Sequence, residues 1–370
     1  NAAFDSGYDY RPQLTTDALG NWVAVWHSND SLGGTIGTDY DILFAAFTVS
    51  NVMTAGITVT PVSGLVTTET GGAASFSVVL NGRPTADVTI GLSSSDTTEG
   101  TVSPTSLTFT TANWNTPQTV TITGQNDDIN DGDIAYTIVT AAAVSSDPDY
   151  NGLDVADVSI TNQDDDKAGI TVSAITGNTT EAGGTATFTV VLDSEPTADV
   201  TIAVISSDTS EGTVVPIQLI FTPEQWNHPQ SVTVAGVNDD VDDGDVGYTI
   251  TTAASSQDSH YSGMGGTTVA VTNTDDDTAG VTVTPTSGLT TTESGGTATF
   301  AVRLDTEPTA DVTIELTSSN AGEGTVWPTS LTFTATNWNT PQTATVTGVD
   351  DIVDDGDAGY MIVTSNATSS

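Results

Sequence analysis

The sequence contains no cysteine and almost no base. Arg11, Arg83, Lys167 and Arg303 stand against 48 Asp and Glu, giving a formal net charge of −44 over 370 residues. Without cysteine there are no disulfide staples, no thiolate zinc sites and no thiol nucleophile; the redox compartment stays open, because large secreted proteins also dispense with disulfides. Without bases no positive stripe can be assembled, so nucleic acid and anionic lipid surfaces are repelled and cations are the expected partners. Lys167 is the only lysine, which removes lysine-dependent isopeptide cross-links as a repeated device. No run of 18 apolar residues is present, so no membrane insertion is expected, and Asn1 begins without a Met or signal-type segment, as a mature or excised piece would. His27, His228 and His260 do not recur, and Thr116 and Thr340 replace His228 in the related segments, so no Ser-His-Asp device and no catalytic residue is expected.

Apolar residues make up 36% of the chain and charged residues only 14%, and β-branched residues alternate with polar ones, which favours a folded all-β protein over a disordered acidic one. Three segments open alike, at Gly56-Ile57-Thr58-Val59-Thr60, Gly169-Ile170-Thr171-Val172-Ser173 and Gly280-Val281-Thr282-Val283-Thr284. Glu69, Glu181 and Glu293 then follow at intervals of 112 residues, as do Glu99, Glu211 and Glu323, and Trp114, Trp226 and Trp338. This period exceeds that of solenoid repeats and matches one immunoglobulin-like sandwich, so each copy should own a core. The expected boundaries are a short N-terminal β segment at 1–55, repeats at 56–167 and 168–278, and an incomplete repeat at 279–370.

Within the first copy, Ala74, Phe76, Val78 and Leu80 alternate with Ser75, Ser77 and Val79, and further β-rich runs lie near 88–92, 107–110, 120–123, 134–139 and 155–161. Turn-rich stretches such as Asn81-Gly82-Arg83-Pro84 separate them. The fold class expected is therefore tandem antiparallel β-sandwiches. The recurring Trp reads as a plug over the end of each core. Tyr136, Tyr248 and Tyr360, each after an Asp-Gly-Asp turn, suggest a tyrosine corner.

Carboxylates gather in four places per copy: the early Glu before a Gly-rich stretch; Asp96 with Glu99, or Asp208 with Glu211; the turn 126–133 and its counterparts at 238–245 and 350–357; and the triplets Asp164-Asp165-Asp166 and Asp275-Asp276-Asp277. Consecutive aspartates repel unless screened, and hard oxygen donors at close quarters suit Ca²⁺ with its 6–8 ligands better than the strict octahedron of Mg²⁺. In a sandwich the late turn and the end of the closing strand meet at one pole. The turn fails as an EF-hand, because Ile129, Val241 or Val353 occupies its third position and Ile138, Ile250 or Ile362 its twelfth. It is expected to be a strand hairpin.

The combination of Glu69 before 71–76, Pro84-Thr85-Ala86-Asp87-Val88-Thr89-Ile90, Leu107-Thr108-Phe109, Asp127-Asp128 and the closing Asp triplet resembles the Calx-beta domain, the calcium-binding sandwich of sodium-calcium exchangers, also found in tandem in large bacterial surface proteins. The resemblance covers about residues 56 to 370. It implies Ca²⁺ ligands in copy one at Glu69, Asp96 or Glu99, Asp127, Asp128, Asp131, Asp133, Asp164, Asp165 and Asp166. Copy two would use Glu181, Asp208 or Glu211, Asp239, Asp240, Asp243, Asp245, Asp275, Asp276 and Asp277. In copy three the matching candidates are Glu293, Asp351, Asp355 and Asp357, but Ile352 replaces the second Asp of the turn and Asn320 the loop Asp, so this copy should bind calcium poorly alone. Because each triplet lies two or three residues before the next copy, a cation there would also fix the angle between neighbouring sandwiches.

Residues 1–50 do not match the repeat. Gly20-Asn21-Trp22-Val23-Ala24-Val25-Trp26 and Asp39-Tyr40-Asp41-Ile42-Leu43-Phe44 resemble part of one sialidase-like propeller blade, with an Asp-box-like stretch at 28–35 and a calcium nonapeptide-like stretch at 33–39. The functional expectation is a non-enzymatic, extracellular or cell-surface calcium-binding array, a stalk, adhesive or fibre, with Ca²⁺ as its ligand and neighbouring copies of itself as partners. The alternatives are spacer modules of a secreted propeller enzyme and a filament subunit built by strand exchange.

Overall fold

The structure, a computed structural model, describes residues 54–352 and 356–369 in full and the backbone of three strands at Gln13–Thr16, Asn21–Ser28 and Asp41–Thr48. No helix occurs among these residues, and the strands are assembled almost wholly in antiparallel sheets. The chain divides into two compact units, Asn1–Asn126 with Asp133–Gln163, and Asp127–Gly132 with Asp164–Ser370.

In the first unit the three N-terminal strands form an antiparallel meander, with Leu14 opposite Ala24 and Val25 opposite Phe44. A three-strand meander alone gives the propeller reading no support, and the Asp-box-like and nonapeptide-like stretches fall largely outside the described residues. After it comes a four-stranded sheet in the order Ile57–Thr60, Ala73–Leu80, Gln118–Gly124, Gly100–Ser103. The facing sheet runs Leu65–Thr68, Val158–Gln163, Ile134–Thr140, Val88–Ser94, with Ser106–Phe109 pairing the last of these. Its first two strands are parallel, Ile160 opposite Leu65.

The second unit repeats this plan. Ile170–Val172, Thr185–Leu192, Gln230–Gly236 and Gly212–Val215 form one sheet, and Thr179–Thr180, Val269–Thr274, Val246–Ser256, Val200–Ser206 and Gln218–Phe221 the other. A further pair follows, with Val281–Thr284, Thr297–Leu304, Gln342–Gly348 and Gly324–Trp327 against a smaller sheet of Ser330–Phe333, Val312–Ser318 and Ile362–Thr364. The two-residue period explains the layering: Phe188, Val190 and Leu192 alternate inward along one strand and Val200, Ile202 and Val204 along the facing one, all buried. Each such side chain contributes roughly 1.5–3 kcal/mol on burial. Trp114 and Trp226 pack against their cores and Trp338 is buried in its own, in keeping with their expected role as plugs.

Two expectations change. The acidic turn is no hairpin, because Gln118–Gly124 and Ile134–Thr140 belong to different sheets; in the second unit its counterpart, between Gln230–Gly236 and Val246–Ser256, likewise joins two sheets and crosses the end of the sandwich. The Asp-Gly-Asp tyrosines make no tyrosine corner. Their hydroxyls meet threonines 69 residues upstream, Tyr136 with Thr67 at 3.2 Å and Tyr248 with Thr179 at 3.1 Å. Long-range pinning of a loop by tyrosine is done instead by Tyr150 and Tyr261, whose hydroxyls donate to the carbonyls of Gly82 and Ser194.

Candidate metal centre

The crossing turn places carboxylates where a strand end supplies more of them. Within the second unit this is seen complete around Glu181, Glu211, the turn at 239–245 and Asp275-Asp276-Asp277. Gly244, at φ +80°, lets the turn reverse, and its N–H donates to Oδ2 of Asp275 at 2.7 Å, tying the turn to the end of the closing strand. Asp245 accepts the N–H of Asp275 at 3.2 Å, Asp275 Oδ1 accepts that of Asp277 at 2.7 Å, and Asp239 Oδ1 accepts that of Val241 at 2.8 Å. These bonds fix the loop backbone and leave a set of carboxylates facing one another.

Two groups result. Carboxylate oxygens of Glu181, Asp276 and Asp277 lie within 4.8 Å of one another, and so do those of Glu211, Asp239 and Asp243. Glu181 and Glu211 are 3% and 6% exposed. Glu181 Oε2 is buried without a hydrogen-bond partner. Burial, then the charges of Asp239, Asp275, Asp243 and Glu211, push the Glu181 carboxyl up to about 7. Burial likewise raises Glu211, opposed by the hydrogen bond from Asn273, and raises Asp243 and Asp277, with neighbouring aspartates adding to each. All four shifts say that negative charge here is under-compensated.

Asp208 stands apart. It accepts the N–H of Ser210 at 3.0 Å and the Ser210 hydroxyl, and these bonds lower its carboxyl below the ordinary value. Of the two loop acids expected to compete for a ligand role, Glu211 is therefore the one turned into the cluster. Asp240 contributes differently: its carbonyl accepts the N–H of Glu307 at 2.7 Å, while Asp242 Oδ2 accepts that of Ala279, also at 2.7 Å, so the same turn meets the start of the following repeat.

The corresponding residues of the first repeat divide between the units. Within the second unit, Gly132 N–H donates to Asp164 Oδ2 at 2.7 Å, and Asp131 is raised by burial and by Asp127 and Asp164. Asp166 is raised by burial and then by Asp128, Asp164, Asp165 and Asp127. The Asp128 carbonyl accepts the Glu195 N–H at 2.6 Å. Within the first unit, Glu69 and Glu99 are buried and Asn162 donates to Glu99 Oε2 at 3.3 Å, while Asp133 precedes the Ile134–Thr140 strand, and Asp96 is held low by hydrogen bonds from Thr98, as Asp208 is by those from Ser210.

The third repeat differs. Glu293, Asp351 and Asp357 are exposed, Asp355 lies outside the described residues, and among the described residues none of these joins a group of three acids.

Sequence reasoning missed Asn162 and Asn273, both 1% exposed, which orient the loop glutamates. Their signal was present as Thr-Asn-x-Asp-Asp-Asp at 161–166 and 272–277, where the Asn recurs as faithfully as the acids.

No protein-family model and no curated protein matches the chain. Among solved structures, it is similar to CBD12 from CALX1.2, at 15% identity over 55% of this chain and 82% of that one, with a TM-score of 0.25. The calcium binding domain CBD12 of CALX1.1 gives 15% identity over 54% and 79%, TM-score 0.25. Domains 5–6 of the S-layer protein SbsC give 17% over 60% and 97%, TM-score 0.18. The likeness is a distant one of β-sandwich fold.

Proposed function

We propose that this chain is a non-enzymatic structural β-repeat array that binds Ca²⁺ between its loops, and that it serves outside the cell as a stalk, adhesive or fibre. The observation that carries the reading is Glu181: a carboxylate 3% exposed, with one oxygen unpartnered and two further acids within 4.8 Å. Leaving such a group charged costs several kcal/mol unless a counter-charge enters. Four basic residues in the whole chain cannot supply one to every cluster. A hard divalent cation with oxygen ligands can, and a carboxylate-rich cluster not built as a strict octahedron favours Ca²⁺ over Mg²⁺.

In the second repeat, Glu181, Asp276 and Asp277 would hold one ion and Glu211, Asp239 and Asp243 a second, with Asp275 and Asp245 supporting the backbone between them. The corresponding acids of the second unit that belong to the first repeat are Asp127, Asp131, Asp164 and Asp166, with Asp128 and Asp165 alongside. The array would consist of repeats at 56–167, 168–278 and 279–370 after an N-terminal segment at 1–55. The mechanism is mechanical as well as thermodynamic. The turn that would hold the ions also bonds to the next repeat through Asp240 and Glu307 and through Asp242 and Ala279, so ordering the turn orders the junction. At ten times its dissociation constant a ligand adds about 1.4 kcal/mol per independent site.

The test is a thermal melt with small-angle scattering, in chelator and then in millimolar Ca²⁺. A rise in melting temperature with a narrower length distribution supports the reading. Equal responses to Ca²⁺ and Mg²⁺, or none, overturn it.

A further inference from the structure

Trp327 is the one tryptophan among the described side chains that no core takes up. Trp114, Trp226 and Trp338 pack against or within their sandwiches, whereas Trp327, at the end of Gly324–Trp327, is 76% exposed. The fold does not require an indole there. Ser103 and Val215 end the equivalent strands Gly100–Ser103 and Gly212–Val215, and both are exposed too, so this position faces water in every repeat. The strands around it form a regular floor. Gly324–Trp327 pairs with Gln342–Gly348, which pairs with Thr297–Leu304, so Trp327, Thr345 and Thr299 stand in one row and Thr325, Thr347 and Thr297 in the next. The alternate residues Val326, Val346 and Phe300 are buried, which puts both rows on the outer face of the sheet. With strands about 4.8 Å apart, each row is about 10 Å long, and the rows lie about 7 Å apart. The floor is also neutral. Its three strands and the neighbouring Val281–Thr284 contain none of the 48 Asp and Glu, and their single charged side chain, Arg303, lies 3.7 Å from the Asp305 carboxylate.

We propose that this face binds an uncharged β-1,4-linked glucan chain, with Trp327 stacked on one pyranose ring and the threonine rows hydrogen-bonding the rings beside it. The chemistry of the floor selects that ligand. In a β-linked glucopyranose the hydroxyls are equatorial, so each ring presents a C–H face for an indole to cover and a rim of hydroxyls around it. An indole left in water offers the matching apolar plane. Each threonine hydroxyl supplies one donor and two acceptor lone pairs, the same inventory as a sugar hydroxyl, so the two pair without burying a charge. A β-1,4-linked chain is an extended ribbon that lies along a row of side chains, which a coiled α-linked chain does not. Charge makes the same choice. The face is neutral and the chain as a whole carries −44, which repels polyanionic glycans and leaves uncharged ones as the complement. The single indole fixes the stoichiometry at one site, because the equivalent Ser103 and Val215 offer no ring. No acid belongs to either row, so the site is independent of cation binding.

The experiment titrates the 370-residue chain with cellohexaose, and with maltohexaose as the α-linked control, by calorimetry in chelator. The expected result is saturable one-to-one binding of cellohexaose, with maltohexaose at least about tenfold weaker. Trp327→Ala, at an exposed position, should keep the melting temperature and lose at least about tenfold in affinity, and Trp327→Tyr should recover part of that loss. Thr345→Val, which keeps the side-chain shape and removes the hydroxyl, should weaken binding about three- to tenfold, the scale of one lost hydrogen bond. Absence of saturable cellohexaose binding, parental affinity in Trp327→Ala, or maltohexaose bound as tightly overturns the proposal. So does self-association of the chain that Trp327→Ala abolishes, since a second copy would then be what covers the indole.

Discussion

Asn273 donates from Nδ2 to Oε2 of Glu211 at 3.3 Å and to the carbonyl of Val237 at 3.0 Å, while its Oδ1 receives the hydroxyl of Thr179. One buried amide therefore joins the closing strand, the early strand and the acidic loop. Replacing it by Leu, similar in volume but unable to hydrogen-bond, strands a buried carboxylate oxygen and a buried carbonyl. Asn273→Leu is expected to cost about 2–4 kcal/mol, read as faster amide exchange across Val246–Ser256, and to weaken Ca²⁺ binding by freeing Glu211.

Glu181→Gln separates the apo state from the loaded one. Removing a buried, under-compensated charge should raise the melting temperature in chelator and reduce the Ca²⁺-dependent increment. Glu293→Gln, at the exposed equivalent position, should leave both unchanged. A fall in chelator stability for Glu181→Gln, with the increment intact, would remove Glu181 from the ligand set.

The pH dependence has a definite sign. An acid whose folded value is raised from 4.5 to about 7 binds more protons folded than unfolded across that interval. Stability in chelator should fall as pH rises from about 4.5 to 7, by on the order of 3 kcal/mol from Glu181 at about 1.4 kcal/mol per unit. With Ca²⁺ bound the carboxylate is held charged, so the slope in that window should flatten or reverse. Calorimetric melts at pH 5 and pH 7, with and without Ca²⁺, measure the difference.

Gly212 tests the packing beneath the cluster. A Cβ there would run into the ring and hydroxyl of Tyr248. Gly212→Ala should destabilise the second repeat by about 1–3 kcal/mol with little change in the Ca²⁺ stoichiometry, measured by calorimetric titration. Loss of binding without loss of stability would mean that Tyr248 serves the cluster rather than the core.

Much of this was legible in the residues. The 112-residue spacing of Glu181, Glu211 and Trp226 with their counterparts, together with the alternation along 185–192, sufficed for sandwiches with their acids at one pole, because both follow from period and recurrence. The turn at 239–245 was misread as a hairpin because local sequence carries turn chemistry but not which sheet each flank joins. Tyr248 was misread for a related reason: its partner is Thr179, 69 residues away, and no local pattern encodes that distance. Glu211 and Asp208 could not be ranked from sequence alone, since what separates them is that Ser210 satisfies one and Asn273 orients the other.

The parallel pairing of Thr179–Thr180 with Val269–Thr274 has a kinetic consequence. The early strand of each such repeat waits about 90 residues for its neighbour, so the sheet cannot close until nearly the whole repeat has left the ribosome. Until then Tyr248 and Ile250 face water along an open edge. High sequence separation between contacting strands makes closure a late, slow event, and a chain of such repeats gains its order one completed module at a time, from the N-terminal end onward.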